Sequence, residues 1–518
     1  MRKSTSPVML LALVLAAWGC GDGGGGGGGK GGTTGSGGKG GTTGSAGTTG
    51  SAGTTGGAGT TGGGGGGSSG GGAAGTGGSA AGTTGTAGRG GTTGSAGAAA
   101  GTGGGAAGTG GAAGTGGGAA GTGGGAAGTG GGAAGTGGGA AGTGGGTGGT
   151  GTGGTPATCT AMWTGDAKRP QLTDASAACY TIERYLAQTG TVGALTTDNW
   201  NPTAGLPAAS TFTPMFTVAA DGSGTHTTVQ AAMTAAKGVA GGARVYVLVK
   251  PGTYRELVCI DGSVPITLYG ADTDATKVSI VFNNYSGKTV DANVNTCSNP
   301  STANPPKTTY GTSDSTTVFV KAPGFQAMNL TISNDTDEIA AGNPSSIQAV
   351  ALTTQGDQGV FQNVRFLGNQ DTLQVKSSAA TVVARMYFKN SYIEGDTDFI
   401  FGRATAVFDN CTLFYVSGRK TNSTHISPST EMPVGFGFLI IKSKMMGASG
   451  ITAALLGRAW DDSSATMPNG QAIIRETEIA AYINALAPWG AAASSSRLFD
   501  ATMNRLYEYK NTGAGAAP

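Results

Sequence analysis

From Phe216 onward the chain alternates short apolar, β-rich runs with turns of glycine, asparagine, aspartate and proline. The runs include ITLYGA, KVSIVFN, TVFVKA, MNLTISN, QAVALTT and VFQNVRF. Near-continuous apolar character in short runs points to strands buried on both faces, as in parallel sheets. Phe216 to Ala219 opens the series, and Asp221 to Gly224 turns the chain. Thr228 through Ala236 carries a helical pattern. Arg244 to Lys250 reads RVYVLVK, a strand that Pro251 and Gly252 break before Thr253 to Glu256 resumes it.

An asparagine inside an apolar run recurs at Asn329, Asn363, Asn390 and Asn410, with Ser443 and Glu476 in similar places. The spacings run from 20 to 34 residues. A propeller or leucine-rich array keeps a more regular period. Unequal coils with variable loops predict an all-β fold, a right-handed parallel β-helix. Stacked asparagines would then hydrogen-bond from coil to coil, although asparagine also serves as a plain turn former. A finer pattern occurs twice. Asn363, Gly368 and Asp371 match Asn390, Gly395 and Asp398 in spacing, 27 residues apart. On neighbouring coils Asp371 and Asp398 would stand one above the other, with strands about 4.7–4.9 Å apart. Two carboxylates sharing a site suit acid/base or nucleophilic chemistry.

Composition divides the rest of the chain. Of 518 residues 105 are glycine, most of them before residue 155. Met1-Arg2-Lys3 and the apolar run Val8 to Ala17 read as a signal peptide over residues 1–20. Ala17 to Cys20 looks like a lipoprotein cleavage site, with Cys20 as the lipidated residue. An ordinary secreted protein with a cysteine near its start is the alternative. Residues 21–155 repeat Gly, Thr, Ala and Ser and lack the apolar area to offset chain entropy. They predict a disordered tether of roughly 60 Å mean span. A formal G-x-S-x-G at Gly66 to Gly70 lies inside it without a strand or helix around it, and carries no chemistry. Residues 156–518 are expected to form one β-helix domain that carries any chemistry. Net charge is +2 with 11% charged residues, which gives no footprint for nucleic acid.

Cys159, Cys179, Cys259, Cys297 and Cys411 fit an exported protein. Spacing does not fix their connectivity. The simplest pairing joins Cys159 to Cys179 and Cys259 to Cys297, and leaves Cys411 in the core. No two of the six cysteines are closer than 20 residues, and only two histidines exist, so no metal site is expected.

The segment from Phe216 to the end resembles the pectin methylesterases, the pectinesterase family. The motifs occur in family order: VAADGSGTHTTVQAAMTAA from Val218, GTYRE from Gly252, QAVAL from Gln348 and GNQDTL from Gly368. DFIFG from Asp398, LGRAW from Leu456 and RLYEYKNTGAGA from Arg505 follow. The lipid-anchored bacterial members look most similar. The resemblance implies a right-handed parallel β-helix, no cofactor, and methylated polygalacturonan (pectin) as substrate. It implies Asp398 as nucleophile, Asp371 as general acid/base, and Gln348 and Gln370 as oxyanion donors. It implies Arg458 as the partner of the nucleophile, and Trp460 and Phe401 as sugar-binding aromatics. A monomer exported to the cell surface (an outer-membrane lipoprotein) or the medium is expected. Two departures fall beside the implied cleft: Gln374 where many members have tyrosine, and Ala459 where most have proline. They bear on sugar grip rather than on ester chemistry.

The chemistry is sound on its own terms. An ester carbonyl needs a nucleophile, a proton for the leaving alkoxide and donors for the oxyanion. At ~5 Å and an effective dielectric of ~20, two aspartates repel by about 3 kcal/mol, which favours one shared proton. Arg458 would keep the charge on Asp398. Glutamine suits the oxyanion role because it polarises a carbonyl without quenching the nucleophile. A Ser-His-Asp esterase would have to use His226 or His425; the simpler reading of each is a surface or subsite residue. Glu256 reads as a structural partner. Two rivals remain: an esterase or acyl thioesterase on another acyl substrate, and a non-catalytic carbohydrate-binding β-helix. Binding alone would not need both aspartates, both glutamines and Arg458.

Overall fold

In this computed structural model residues 159–430, 435–461 and 470–518 are described. The expected leader, Cys20 and the glycine-rich arm lie outside them. The fold is a parallel β-helix. Successive coils each lay one short strand in an eight-stranded sheet: β1 (Val258–Ile260), β2 (Val318–Val320), β3 (Leu352–Thr354) and β4 (Leu373–Val375). It continues through β5 (Ile400–Gly402), β6 (Thr424–Pro428), β7 (Leu455–Arg458) and β8 (Trp489–Gly490). All neighbours in this sheet pair in parallel.

A larger sheet forms the remaining walls, and there each coil bends at one residue in the left-handed region. These are Asn329, Asn363, Asn390, Asn410, Lys442, Glu476 and Lys510, with φ between 47° and 58°. Asparagine tolerates that conformation better than other side chains. The ladder expected from sequence is present. Asn363 Nδ2 donates to Asn329 Oδ1 at 2.9 Å, and Asn410 Nδ2 to Asn390 Oδ1 at 2.8 Å. The placement of Ser443 in that ladder is corrected: the bend falls on Lys442. Ser443 belongs to a second, buried column one residue later. In it Cys411 N–H donates to Ser443 Oγ (3.0 Å) and Ser443 N–H to Thr477 Oγ1 (3.3 Å). A small hydroxyl can satisfy the neighbouring coil's amide, which lysine in the same spot cannot.

The interior is layered along the axis. Phe361, Phe388 and Phe408 stack in register at 4.8 and 4.7 Å, their rings nearly parallel. Ile440 and Ile474 continue the column, which ends on Glu508. At the other end the helix α1 (Val229–Lys237) buries Val229, Ala232, Met233 and Ala236, its i, i+3, i+4, i+7 face. Thr228 caps it, and Glu256 accepts from the Val229 and Gln230 amides at 2.8 Å each. The structural reading of Glu256 therefore stands.

Residues 159–212, which carry no motif, turn out to be structural. Gln171 pairs in parallel with Glu508, adding a rung to the final coil. Arg169 makes two 2.8 Å bonds to Glu508 and further bonds to the Ala485 and Gly515 carbonyls. Downstream, Tyr185 stacks on Phe436 at 4.3 Å. Arg385 ties Asp198 to Asp357. The terminal edge, a template for unwanted pairing when bare, is thus covered. Cys159 pairs with Cys179 and Cys259 with Cys297; Cys411 is free and buried, as expected.

Candidate active site

Alternation along the eight-stranded sheet sends Val318, Leu352, Leu373, Ile400 and Ile426 into the core. Phe319, Thr353, Gln374, Phe401 and Ser427 form the opposite, outward row, each in register with the next. Arg458 follows at the end of β7. Asp371 and Asp398 lie two residues before β4 and β5, whose register pairs Leu373 with Ile400. The two aspartates therefore occupy equivalent places on successive coils. Both have left-handed backbones, with φ of 65° and 45°. Their amides donate to the next coil, Asp371 to Thr397 O at 3.0 Å and Asp398 to Thr424 O at 2.7 Å. Stacking of coils thus holds both in a conformation that an isolated turn would leave. Gly402, at φ 122°, closes the DFIFG turn; a Cβ there would strike the Val375 carbonyl.

Asp398 is gripped from above. Arg458 Nε lies 3.0 and 3.2 Å from its two oxygens, and Nη2 lies 2.5 Å from Oδ2. Thr424 Oγ1 makes a short hydrogen bond to Oδ1. A bidentate guanidinium fixes both the charge and the plane of the carboxylate. Gln348, in the approach to β3, is nearly buried, and Ala349 N–H donates to Gln370 O at 3.1 Å. That bond sets Gln348 and Gln370 side by side on adjacent coils. Phe401 and Trp460 face each other at 5.8 Å, tilted by 58°, against Val350. Trp460 Nε1 is buried and makes no hydrogen bond among the described residues. The sequence-derived set Asp398, Asp371, Gln348, Gln370, Arg458, Trp460 and Phe401 is thus gathered on one face. A metal-free esterase site needs a held carboxylate, a second carboxylate and neutral donors, and this constellation offers them.

A pectinesterase family model matches residues 215–518, more than half of the chain. The chain belongs to the pectinesterase family. It is a carboxylic ester hydrolase. Among its relatives, a pectinesterase of Ralstonia nicotianae is 45% identical over 389 residues, covering 70% of this chain and 94% of the relative. The rice weevil pectin methyl esterase structure covers 69% of this chain and all of its own, with TM-score 0.58 and 32% identity. The structure of Escherichia coli YbhC covers 68% of this chain and 96% of its own, with TM-score 0.60 and 31% identity.

The remaining candidates sort differently. His425 is fully buried in the pectinesterase core, not on the surface or in a subsite. Its Nδ1 lies 2.7 Å from the Leu455 carbonyl and its Nε2 2.7 Å from Tyr482 Oη. A carbonyl can only accept, so Nδ1 carries the proton and Nε2 accepts from the phenol. Burial pushes the imidazole down to about 4, and it stays neutral. His226 is half-buried against Phe216, with Nδ1 3.0 Å from Thr225 Oγ1. Gln374, read from sequence as bordering the sugar cleft, is buried instead. Its Oε1 accepts from Ser313 and Thr353, both at 3.0 Å. The long loop pinned by the Cys259–Cys297 bridge supplies Ser313 and covers this end of the row. Thr424 escaped the sequence reading, because a lone threonine beside a histidine carries no spacing signal. So did a buried trio, Glu338, Arg419 and Asp396, next to the two aspartate turns.

Proposed function

We propose that this enzyme hydrolyses the C6 methyl esters of polygalacturonan, yielding free uronate and methanol. The observation that carries the reading is the held Asp398 carboxylate one coil from Asp371 in strict register. In the first step an Asp398 oxygen attacks C6. The carbonyl electrons move onto oxygen, which then accepts hydrogen bonds from the Gln348 and Gln370 side-chain amides. The C6–methoxy bond then breaks, Asp371 gives its proton to the leaving oxygen, and methanol departs. In the second step water attacks C6, Asp371 takes the proton back, and the bond to Asp398 breaks. Arg458 keeps Asp398 ionised and aimed throughout, while Trp460 and Phe401 offer apolar faces to a sugar ring. No cofactor or metal enters.

A second reading has one specific support. YbhC, provisionally named an acyl-CoA thioester hydrolase, is 32% identical to this chain over 395 residues. The same machinery would act on a thioester. Methanol release from highly methylated pectin and thiol release from medium-chain acyl-CoA, measured side by side, separate the two. The pectin reading expects kcat/KM for the galacturonate ester to exceed that for the thioester by at least about 100-fold. The reverse ranking would reassign the substrate.

The setting follows the same proposal. The enzyme is exported, lipidated at Cys20 and carried as a monomer on the glycine-rich tether at the cell surface. Two disulfides support an oxidising compartment. Cys20→Ser is expected to abolish incorporation of labelled palmitate and move activity from the membrane fraction to the soluble one; unchanged partitioning would refute the anchor.

A further inference from the structure

We propose that Glu338, Arg419 and Asp396 form a buried clasp that positions the two aspartate-bearing turns against each other. The proposal rests on the ester-hydrolase reading of Asp371 and Asp398. The Arg419 side chain is 7% exposed, Glu338 3% and Asp396 1%. Arg419 Nε pairs closely with Glu338 Oε2 and donates to Asp396 Oδ2 at 3.0 Å; Nη2 reaches Asp396 Oδ1 at 2.5 Å. Arg419 Nη2 also lies 3.4 Å from Thr397 Oγ1. On the other side Glu338 Oε1 receives the Gln370 amide at 3.4 Å, and Asp396 N–H donates to Asn369 O at 3.0 Å. The clasp thus touches Gln370, immediately before Asp371, and Asp396 and Thr397, immediately before Asp398. None of its three members faces the ester in the proposed mechanism. They act through the turns they hold.

Charge gives the clasp a second property. One guanidinium faces two carboxylates in a site where an uncompensated charge is costly. Burial, reinforced by Asp396 and opposed by Arg419, pushes Glu338 up to about 7. Burial also raises Asp396, which Arg419 and Lys420 oppose. Besides Lys420, Tyr415 faces the cluster among the described residues, close to Asp396, Arg419 and Asp398. Below about pH 7 the trio carries a proton on Glu338 and is neutral. Above it the trio gains a negative charge beside the oxyanion site. Turnover should therefore fall as pH rises through that value.

The test uses the full chain with the ester it turns over best. Arg419→Met is expected to lower kcat at pH 6 by at least about tenfold with KM changed less than about threefold, because misaligned groups cost turnover rather than ground-state binding. Arg419→Lys should recover part of the loss. Glu338→Gln should stay within about threefold of the wild type at pH 6 and lack the fall near pH 7. Hydrogen exchange in Arg419→Met should speed up at the Gln370, Asp371 and Asp398 amides and leave the Phe361–Phe388–Phe408 coils protected. That readout needs no substrate, so it stands even if the wild type were found to act on no ester, an outcome that would sink the hydrolase reading instead. A wild-type kcat in Arg419→Met, a Glu338→Gln profile superimposable on the wild type, or unchanged exchange at those amides would overturn the clasp.

Discussion

Replacing Asp398 with alanine is expected to lower kcat by at least about 10⁴-fold while leaving the β-helix folded. In the proposed mechanism the Asp398 carboxylate makes the bond that carries the substrate from ester to acid. In the same mechanism Asp371, one coil away, serves the proton instead. Removing Asp398 also leaves Arg458 facing an empty site, yet Arg458 is a quarter exposed and its charge can be hydrated. Stability should therefore change little, and circular dichroism with a thermal melt would show it. Pectin binding should persist, because Trp460 and Phe401 pack against Val350 rather than on Asp398. Loss of turnover with retained binding also separates an enzyme from a carbohydrate-binding β-helix. A variant that kept more than about a tenth of wild-type turnover would remove Asp398 from the mechanism.

The second large effect lies far from the site. Arg169→Ala is expected to destabilise the fold by about 3–5 kcal/mol, the cost of leaving a buried carboxylate without its ion partner. The pair is almost fully buried, at 4% and 0% exposure. Glu508 terminates the interior column that runs through Phe361, so water cannot reach it without opening the last coil. The Ala485 and Gly515 carbonyls lose their donor as well. Guanidinium unfolding followed by tyrosine and tryptophan fluorescence measures the shift. The double replacement Arg169→Met with Glu508→Met should regain most of the loss, since two apolar groups of similar volume need no partner. A single variant as stable as the wild type would show that other contacts of residues 159–212 close the helix end.

What could be read in the sequence follows a physical division. The Asn–Gly–Asp repeat exposed the stacking of Asp371 and Asp398, because coils in register must reuse a backbone shape and the few residues that fit it. Helix α1 was legible as the one helical pattern, from Thr228 through Ala236. The sequential cysteine pairs were legible as the simplest pairing. The ladder went astray at Ser443 because polarity alone cannot tell two neighbouring columns apart. Residues 159–212 were opaque because their partners lie far along the chain: Arg169 meets Glu508 339 residues away and Asp198 meets Arg385 187 away. Glu338, Arg419 and Asp396 were opaque for a related reason. Each sits in a different loop with no periodic neighbour, and only folding shows that they share one charge balance. Gln374 was misread because its burial depends on a loop some 60 residues earlier, through Ser313.

The central claim is covalent catalysis by Asp398, and it can be caught in the act. Asp371→Asn should still be acylated by an activated aryl ester of galacturonic acid, whose leaving group needs no proton. Without its base the variant should then stall before hydrolysis. Intact-mass and peptide mapping after acid quench would locate the adduct. The expected result is one galacturonyl group per chain, on the peptide containing Asp398, absent from the Asp371→Asn, Asp398→Ala double variant. Stoichiometric release of the aryl alcohol with no adduct, or an adduct on any other side chain, would contradict it.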